Sequence, residues 1–470
     1  MQANTENLPD DEVQTGVLDS RYIKESMFGG EPVVESAESD FEDRLSKVGN
    51  SVQEVGRIVR AFGTTVHVSG ISASVGQRCV VENTVEGTRT YGDVVGIDNN
   101  HLILYLLGSL EGISNRSEVR VFHRGKNISF SESLLGCILD GAGNLIYQPH
   151  AQLDVKRVPI DRAAPDPLTR RSISNQFVTG VRAIDTLLSV GEGQRLGIFA
   201  AAGVGKSTLL AMLARHAEAD VIVIGLIGER GREVREFIEE NLGEEGLARS
   251  VMVIATSDRP ALERVSAALT ATTIAEGYRA RGHKVLLLLD SITRYARALR
   301  EIGLSVGEPP GRRGFPPSVF AQLPRLLERT GNNETGSITA FYTILEEDEE
   351  SADPISEEVR SILDGHIVLS RSVAEKGHYP PIDILASASR VFRSLVSVSH
   401  LESATRLRSL IARYRENELL ISMGEYQKGA DELSDKAIEN KSLIDEFLTQ
   451  TPEECFSLER SLERLFEVVK

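Results

Sequence analysis

Three things are scarce in this 470-residue chain: cysteine, long apolar runs and positive charge. Its three cysteines, Cys79, Cys137 and Cys455, lie far apart without metal-ligand spacing. That pattern argues against a disulfide framework and for a reducing compartment. The longest apolar runs, Val221–Ile227 and Val285–Leu289, fall far short of the roughly 20 residues a membrane-spanning helix needs. No basic region followed by an apolar stretch opens the chain, so no secretory signal is read and a cytoplasmic protein is expected. With 52 Lys and Arg against 69 Asp and Glu, the net charge is −17. The basic footprint that nucleic-acid phosphates demand is missing, and nucleic acid is a poor candidate partner.

What is present changes along the chain. Residues 1–50 carry 12 acidic and 4 basic side chains with few sustained apolar positions, which reads as an acidic, disordered or partner-ordered extension. From Val55 short alternating stretches such as "TTVHVSG", "QRCVVEN" and "HLILYLL" recur about every ten residues between turn formers, which predicts a small β-barrel or sandwich. This domain is placed at 51–150 and is expected to run to about Leu145. The proline-rich stretch Pro159–Ser174 reads as an extended linker. Strands "RLGIFA", "DVIVIGLI" and "KVLLLLD" then alternate with helical segments over 151–392. Such solidly apolar strands suit a parallel sheet buried between helices, giving an α/β domain. From 393 to 470 the pattern is helical, with Leu458, Leu462, Leu465 and Phe466 at three- and four-residue intervals.

The segment "AAGVGKST" departs from the phosphate-loop pattern G-x-x-x-x-G-K-[ST] in one place, since Ala200 stands where the first glycine belongs. A left-handed alanine costs about 1–2 kcal/mol, so Ala200 is expected to keep extended geometry at the strand end. The backbone of Ala201, Ala202, Gly203, Val204, Gly205, Lys206, Ser207 and Thr208 can still wrap phosphates at a helix N-terminus. Lys206 is placed to reach the β- and γ-phosphates, and the Ser207 hydroxyl to ligate Mg²⁺. Asp290 ends a buried strand, where it can share that ion with Ser207, although helix capping before "SITRYAR" is a second reading. Glu229 follows another buried strand and can activate water, while Arg230 can balance phosphate charge. Nucleotide hydrolysis with Mg²⁺ is the reaction these groups suggest; the identity of the nucleotide as ATP follows from the resemblance below.

The stretches "AAGVGKSTLLAMLAR", "IGERGREVREFIEE", "LLLDSITRYARALRE", "GFPPSVFAQLPRLLERTG", "YPPIDILASASRV" and "GEYQKGADELSDKA" occur in that order. Together they resemble the ATPases of type III secretion systems and flagellar export, relatives of the ATP synthase α and β subunits. The resemblance implies a β-barrel, a phosphate-loop ATPase domain and a C-terminal helical domain. It implies Lys206, Ser207, Asp290 and Glu229 in the roles above, Arg390 as an arginine finger reaching a neighbour's nucleotide, and Tyr379 packing on adenine. A surface salt bridge for Arg390 and core packing for Tyr379 are the competing accounts.

It further implies a homohexamer at the inner-membrane base of a secretion apparatus, coupling hydrolysis to chaperone release, unfolding and export. The implied partners are a stator-like regulatory protein, a central stalk protein, export-gate components and chaperone–effector complexes, with membrane association only through them. "EPPGRRGFPP" is expected to line the ring's pore; "EEDEESADP" faces the pore or is merely solvated. His366 is expected to be structural. The acidic extension departs from the basic amphipathic amino termini of the family and suggests a basic protein partner. A rotary ATP synthase or vacuolar-type subunit, a Rho-like RNA translocase and a binding-only subunit are the rival readings.

Overall fold

The computed structural model describes residues 54–83, 87–122, 126–149, 154–346, 353–429 and 431–470. The extension 1–50 and most of "EEDEESADP" lie outside the described residues.

The alternating stretches close into a six-stranded barrel in the order Gly56–Phe62, Thr65–Ser69, His101–Leu106, Arg89–Asp98, Arg78–Glu82, Glu118–Val121. Alternation sends Val66, Val68, Cys79, Val81, Leu102, Leu104 and Val119 inward. The tight reversal from Asp98 to His101 places Asn99 and Asn100 at φ 44° and 68°, the left-handed pair a two-residue hairpin needs. The barrel is tied to the α/β body by Tyr105, whose hydroxyl donates to Glu301 at 2.9 Å.

The body is a nine-stranded sheet. Its order is Ala388–Ser389, Gly365–Leu369, Arg195–Ala200, Ser337–Leu345, Lys284–Asp290, Val221–Ile227, Ser250–Ala255, Ile138–Asp140, Leu145–Tyr147. Strands Gly365–Leu369 through Ile138–Asp140 run parallel. Every residue of Val221–Ile227 is buried, as two helix-covered faces require. One boundary differs from the sequence reading. Ile138–Asp140 and Leu145–Tyr147, expected in the barrel, extend the large sheet, and Leu139 is buried in the body's core. Three-residue strands carry too little periodicity to announce which sheet they join.

The C-terminal region is helical: Val398–Ser422, Glu432–Glu439, Lys441–Leu448 and Leu458–Val468. Its inward residues Ala404, Leu407, Ile444, Phe447 and Leu465 share one apolar core with the phosphate-loop helix. Burial lowers the pKa of His400, whose Nε2 lies 2.7 Å from the Thr186 carbonyl across this seam. No helix among the described residues is long and apolar enough to cross a membrane.

Candidate functional site

The phosphate loop leaves the strand Arg195–Ala200 at its carboxyl end. Ala200 is buried and still within the strand, paired with Leu345 and Leu369. Thus the missing first glycine costs nothing, because that position is extended. Gly203 and Gly205 are left-handed, at φ 80° and 96°, where a side chain would be strained. Val204 is buried between them and anchors the loop to the core, while Ala202 and Gly203 are exposed.

Gly205 caps the helix Lys206–His216 without a side-chain acceptor, so the first-turn N–H groups are open to an anion. Ser207 is exposed on that first turn and Thr208 is half-buried. The Tyr379 ring lies beside Gly205, with Cε1 3.5 Å from where a Cβ would stand, and is 44% exposed.

Sheet order brings two carboxylates to the same edge. Asp290 ends Lys284–Asp290 and Glu229 follows Val221–Ile227; they are only 4% and 7% exposed. Lys206 Nζ lies 2.6 Å from Asp290 Oδ1 and 3.5 Å from Glu229 Oε1. Thr343 donates its hydroxyl to the same Asp290 oxygen at 2.6 Å. Arg294 grips Glu229 through Nε and Nη2, at 3.1 and 3.2 Å. Burial, and then the charge of Asp290, push the Glu229 pKa up against the pull of Lys206 and Arg294.

Arg294 and Thr343 were not singled out by sequence reasoning. The only signal for Arg294 is its position one turn into the helix Ile292–Ser305, directly after Asp290.

Two expected participants make no direct ion pair with this group among the described contacts. Arg230 pairs with Glu233 at 3.0 Å and its side chain is 75% exposed. It caps the next helix at φ −73°, ψ 141°, and its partner Glu233 in turn hydrogen-bonds the Glu229 side chain. Arg390 is exposed beside the edge strand Ala388–Ser389, two strands from the phosphate loop. Its backbone N–H donates to the Asp364 carbonyl at 2.9 Å, and Nη2 reaches the Arg360 carbonyl at 3.4 Å. His366 bonds the Ala386 carbonyl at 3.0 Å, and burial lowers its pKa.

The arrangement offers N–H donors and an amine for phosphate oxygens, and a buried carboxylate within reach of the same amine. Ser207 and Asp290 contribute hard oxygens, the donor chemistry Mg²⁺ takes alongside phosphate oxygens and water. No group of three or more acidic, histidine or cysteine side chains that could cage a metal exists among the described residues.

Comparison with known proteins agrees in sequence and shape. The nucleotide-binding domain of the ATP synthase alpha/beta family matches residues 180–389, and its beta-barrel domain matches 58–121. The T3SS EscN ATPase C-terminal domain matches 396–467. A type 3 secretion system ATPase of Xanthomonas euvesicatoria is 51% identical, covering 88% of this chain and 93% of its own. The chain belongs to the type III secretion ATPase family.

A flagellum-specific ATP synthase of Pseudomonas aeruginosa is 48% identical, over 87% of this chain and 92% of its own. The assembled ATPase EscN of enteropathogenic E. coli superposes with a TM-score of 0.83 at 46% identity, over 88% of this chain and all of that one. EscN in complex with its central stalk EscO gives 0.81 at 46% identity, over 88% of this chain and all of that one. This chain is therefore an ATPase of a protein-secretion apparatus.

Proposed function

We propose that this type III secretion ATPase closes into a homohexamer at the cytoplasmic, inner-membrane base of the apparatus and hydrolyses ATP at each subunit boundary. The observation that carries the proposal is the separation of Arg390 from the phosphate loop. Its guanidinium is exposed at the far margin of the sheet, so it is suited to a neighbour's nucleotide rather than its own. Lys206 and the loop N–H groups hold the phosphates, Tyr379 packs on adenine, and Ser207 with Asp290 would hold Mg²⁺. When bound, that ion neutralises charge on the phosphate oxygens. Glu229 accepts the proton of the attacking water, and Arg390 offsets charge at the transferring phosphoryl group. Arg230, next to Glu229 in the chain and solvent-exposed, can balance phosphate charge.

The hydrolysis is coupled to chaperone release, unfolding and export of secreted proteins. The expected partners are a central stalk protein, as EscN has in EscO, a stator-like protein, export-gate components and chaperone–effector complexes. The acidic residues 1–50 suit a basic stator-like partner.

The test is turnover per protomer against protein concentration: it rises with ring formation in the parent protein and stays at the monomer level in Arg390→Ala. The 48% identity to a flagellum-specific relative supports flagellar export as a second reading. Co-purification with injectisome or flagellar base components from the native cell distinguishes the two.

A further inference from the structure

A hydroxyl in the middle of the sheet is spent on a carboxylate that a lysine already holds. Thr343 is fully buried in the strand Ser337–Leu345, which lies between the strand of the phosphate loop and the strand that ends in Asp290. The register pairs Leu289 with Tyr342, which sets Thr343 one rung further on, beside Asp290. On its other side Thr343 pairs with Ile198, two residues before Ala200. A threonine hydroxyl has one proton to give. Two acceptors stand near it, Asp290 Oδ1 at 2.6 Å and the Leu289 carbonyl at 3.4 Å. The shorter separation is that of a charge-assisted bond, so the proton is directed to the carboxylate.

Asp290 is only 4% exposed, and its other donor is Lys206, with Nζ 2.6 Å from the same Oδ1. The two donors are not equivalent. Lys206 is half-buried on the first turn of the phosphate-loop helix, where phosphate oxygens can draw its amine away. Thr343 is fixed by strands on both sides and cannot follow. With both donors gone, a buried carboxylate would be left unpartnered, which costs more than an ordinary unmade hydrogen bond because the group is charged.

We propose that Thr343 is a positioning residue for nucleotide binding: given Lys206 as the phosphate ligand assigned above, its hydroxyl keeps Asp290 partnered and in place once the amine leaves, and so lowers the cost of passing Lys206 from carboxylate to phosphate. Before nucleotide binds, the same bond loosens the hold of Oδ1 on Lys206, since two donors share one oxygen. Both effects favour the nucleotide. A divalent cation taken up by Asp290 would also partner the carboxylate, so the hydroxyl matters most for nucleotide that arrives without metal.

The experiment uses the full chain and a fluorescent ATP analogue, titrated once with Mg²⁺ and once with EDTA. Thr343→Val keeps the branched shape and leaves Asp290 paired with Lys206 in the free protein, so its melting temperature is expected to stay near the parent's. Its Kd for metal-free nucleotide is expected to rise about tenfold or more, and its Kd for the magnesium complex by a distinctly smaller factor. Thr343→Ser, which returns the donor, is expected to restore both. An unchanged Kd in EDTA overturns the proposal, as does an equal loss with and without the ion, the mark of a packing role alone. A second measurement needs no nucleotide. Thr343→Val combined with Lys206→Ala removes both donors, and the fall in melting temperature is expected to exceed the sum of the two single falls. Additive falls overturn the shared role at Asp290. Parent-like nucleotide binding by Lys206→Ala would instead remove Lys206 as phosphate ligand, an outcome that the melting-temperature cycle distinguishes because it reads Asp290 alone.

Discussion

Both oxygens of Glu229 accept hydrogen bonds from Arg294, at 3.1 and 3.2 Å, while the amine of Lys206 stands 3.5 Å from the same carboxylate and 2.6 Å from Asp290. Two buried acids are balanced by two cations, and one of those cations is the group that must meet phosphate. A nucleotide therefore competes with Asp290 for Lys206. The bidentate fork meanwhile keeps Glu229 from rotating away.

Lys206→Ala is expected to weaken nucleotide binding and to lower turnover, by about 10²-fold or more in rate, because a donor aimed at developing phosphate charge is lost. Titration with a fluorescent nucleotide and phosphate-release assays check the two effects separately. Normal turnover would exclude this loop as the site.

Glu229→Gln is expected to retain ATP affinity and to lose about 10²–10⁴-fold in turnover, since the amide keeps the shape but cannot take a proton. Single-turnover kinetics on pre-bound ATP give the measurement. Parent-like chemistry would assign proton transfer elsewhere.

Arg294→Gln tests the fork through pH. Glu229 must be ionised to act as a base, burial and Asp290 already raise its pKa, and Arg294 opposes that rise. Removing the guanidinium lets the pKa climb further, so activity is lost at higher pH as the solution is acidified. The acidic limb of the kcat/KM profile, which reports the free enzyme, is expected to move upward. An unmoved limb, or one displaced to lower pH, would count against Arg294 as the group that holds Glu229 ionised.

Arg390→Ala is expected to leave each protomer able to bind ATP and to assemble, while the rate gain on assembly, on the order of 10³–10⁵ for a finger supplied in trans, disappears. Mixing Arg390→Ala with Glu229→Gln protomers sharpens the measurement. Mixed rings regain activity where an intact Glu229 site faces an intact Arg390.

Gln450→Ala is expected to lower stability by about 1–3 kcal/mol, because the backbone partners of a buried amide are left without it. That side chain, 2% exposed, donates to the carbonyls of Gly180 and Glu454 and accepts from the Arg182 N–H. Its backbone N–H holds the Tyr379 carbonyl at 2.9 Å. The KM for ATP is expected to rise along with the fall in melting temperature, both measurable on the same preparation. An unchanged KM would separate the C-terminal seam from the adenine side of the site.

Local chemistry was legible without coordinates wherever it depends on residues close in sequence. The extended Ala200, the left-handed glycines before Lys206 and the helix after them follow from a contiguous segment. The uniformly apolar strands announced a sheet covered on both faces. The strands Ile138–Asp140 and Leu145–Tyr147 were not legible as part of that sheet, since a run of three residues has no period to read. Arg294 and Thr343 were missed for a related reason: an arginine one helical turn past an aspartate, and a threonine within an apolar strand, look like ordinary surface and core residues until the sheet order sets them against Glu229 and Asp290.

By itself, then, the sequence determined the architecture and the phosphate-binding loop, because strand burial, glycine conformation and helix start are written in short-range patterns. Only the tertiary structure decided which charges meet. Lys206, Glu229 and the pair Asp290 and Arg294 come from three segments far apart in the chain and become neighbours through strand order. Arg230 pairs instead with Glu233, and Arg390 is kept from them because it follows the sheet's edge strand. Ion pairing of this kind falls off over a few ångströms in a buried setting, so it depends on placement that residue type and spacing do not encode.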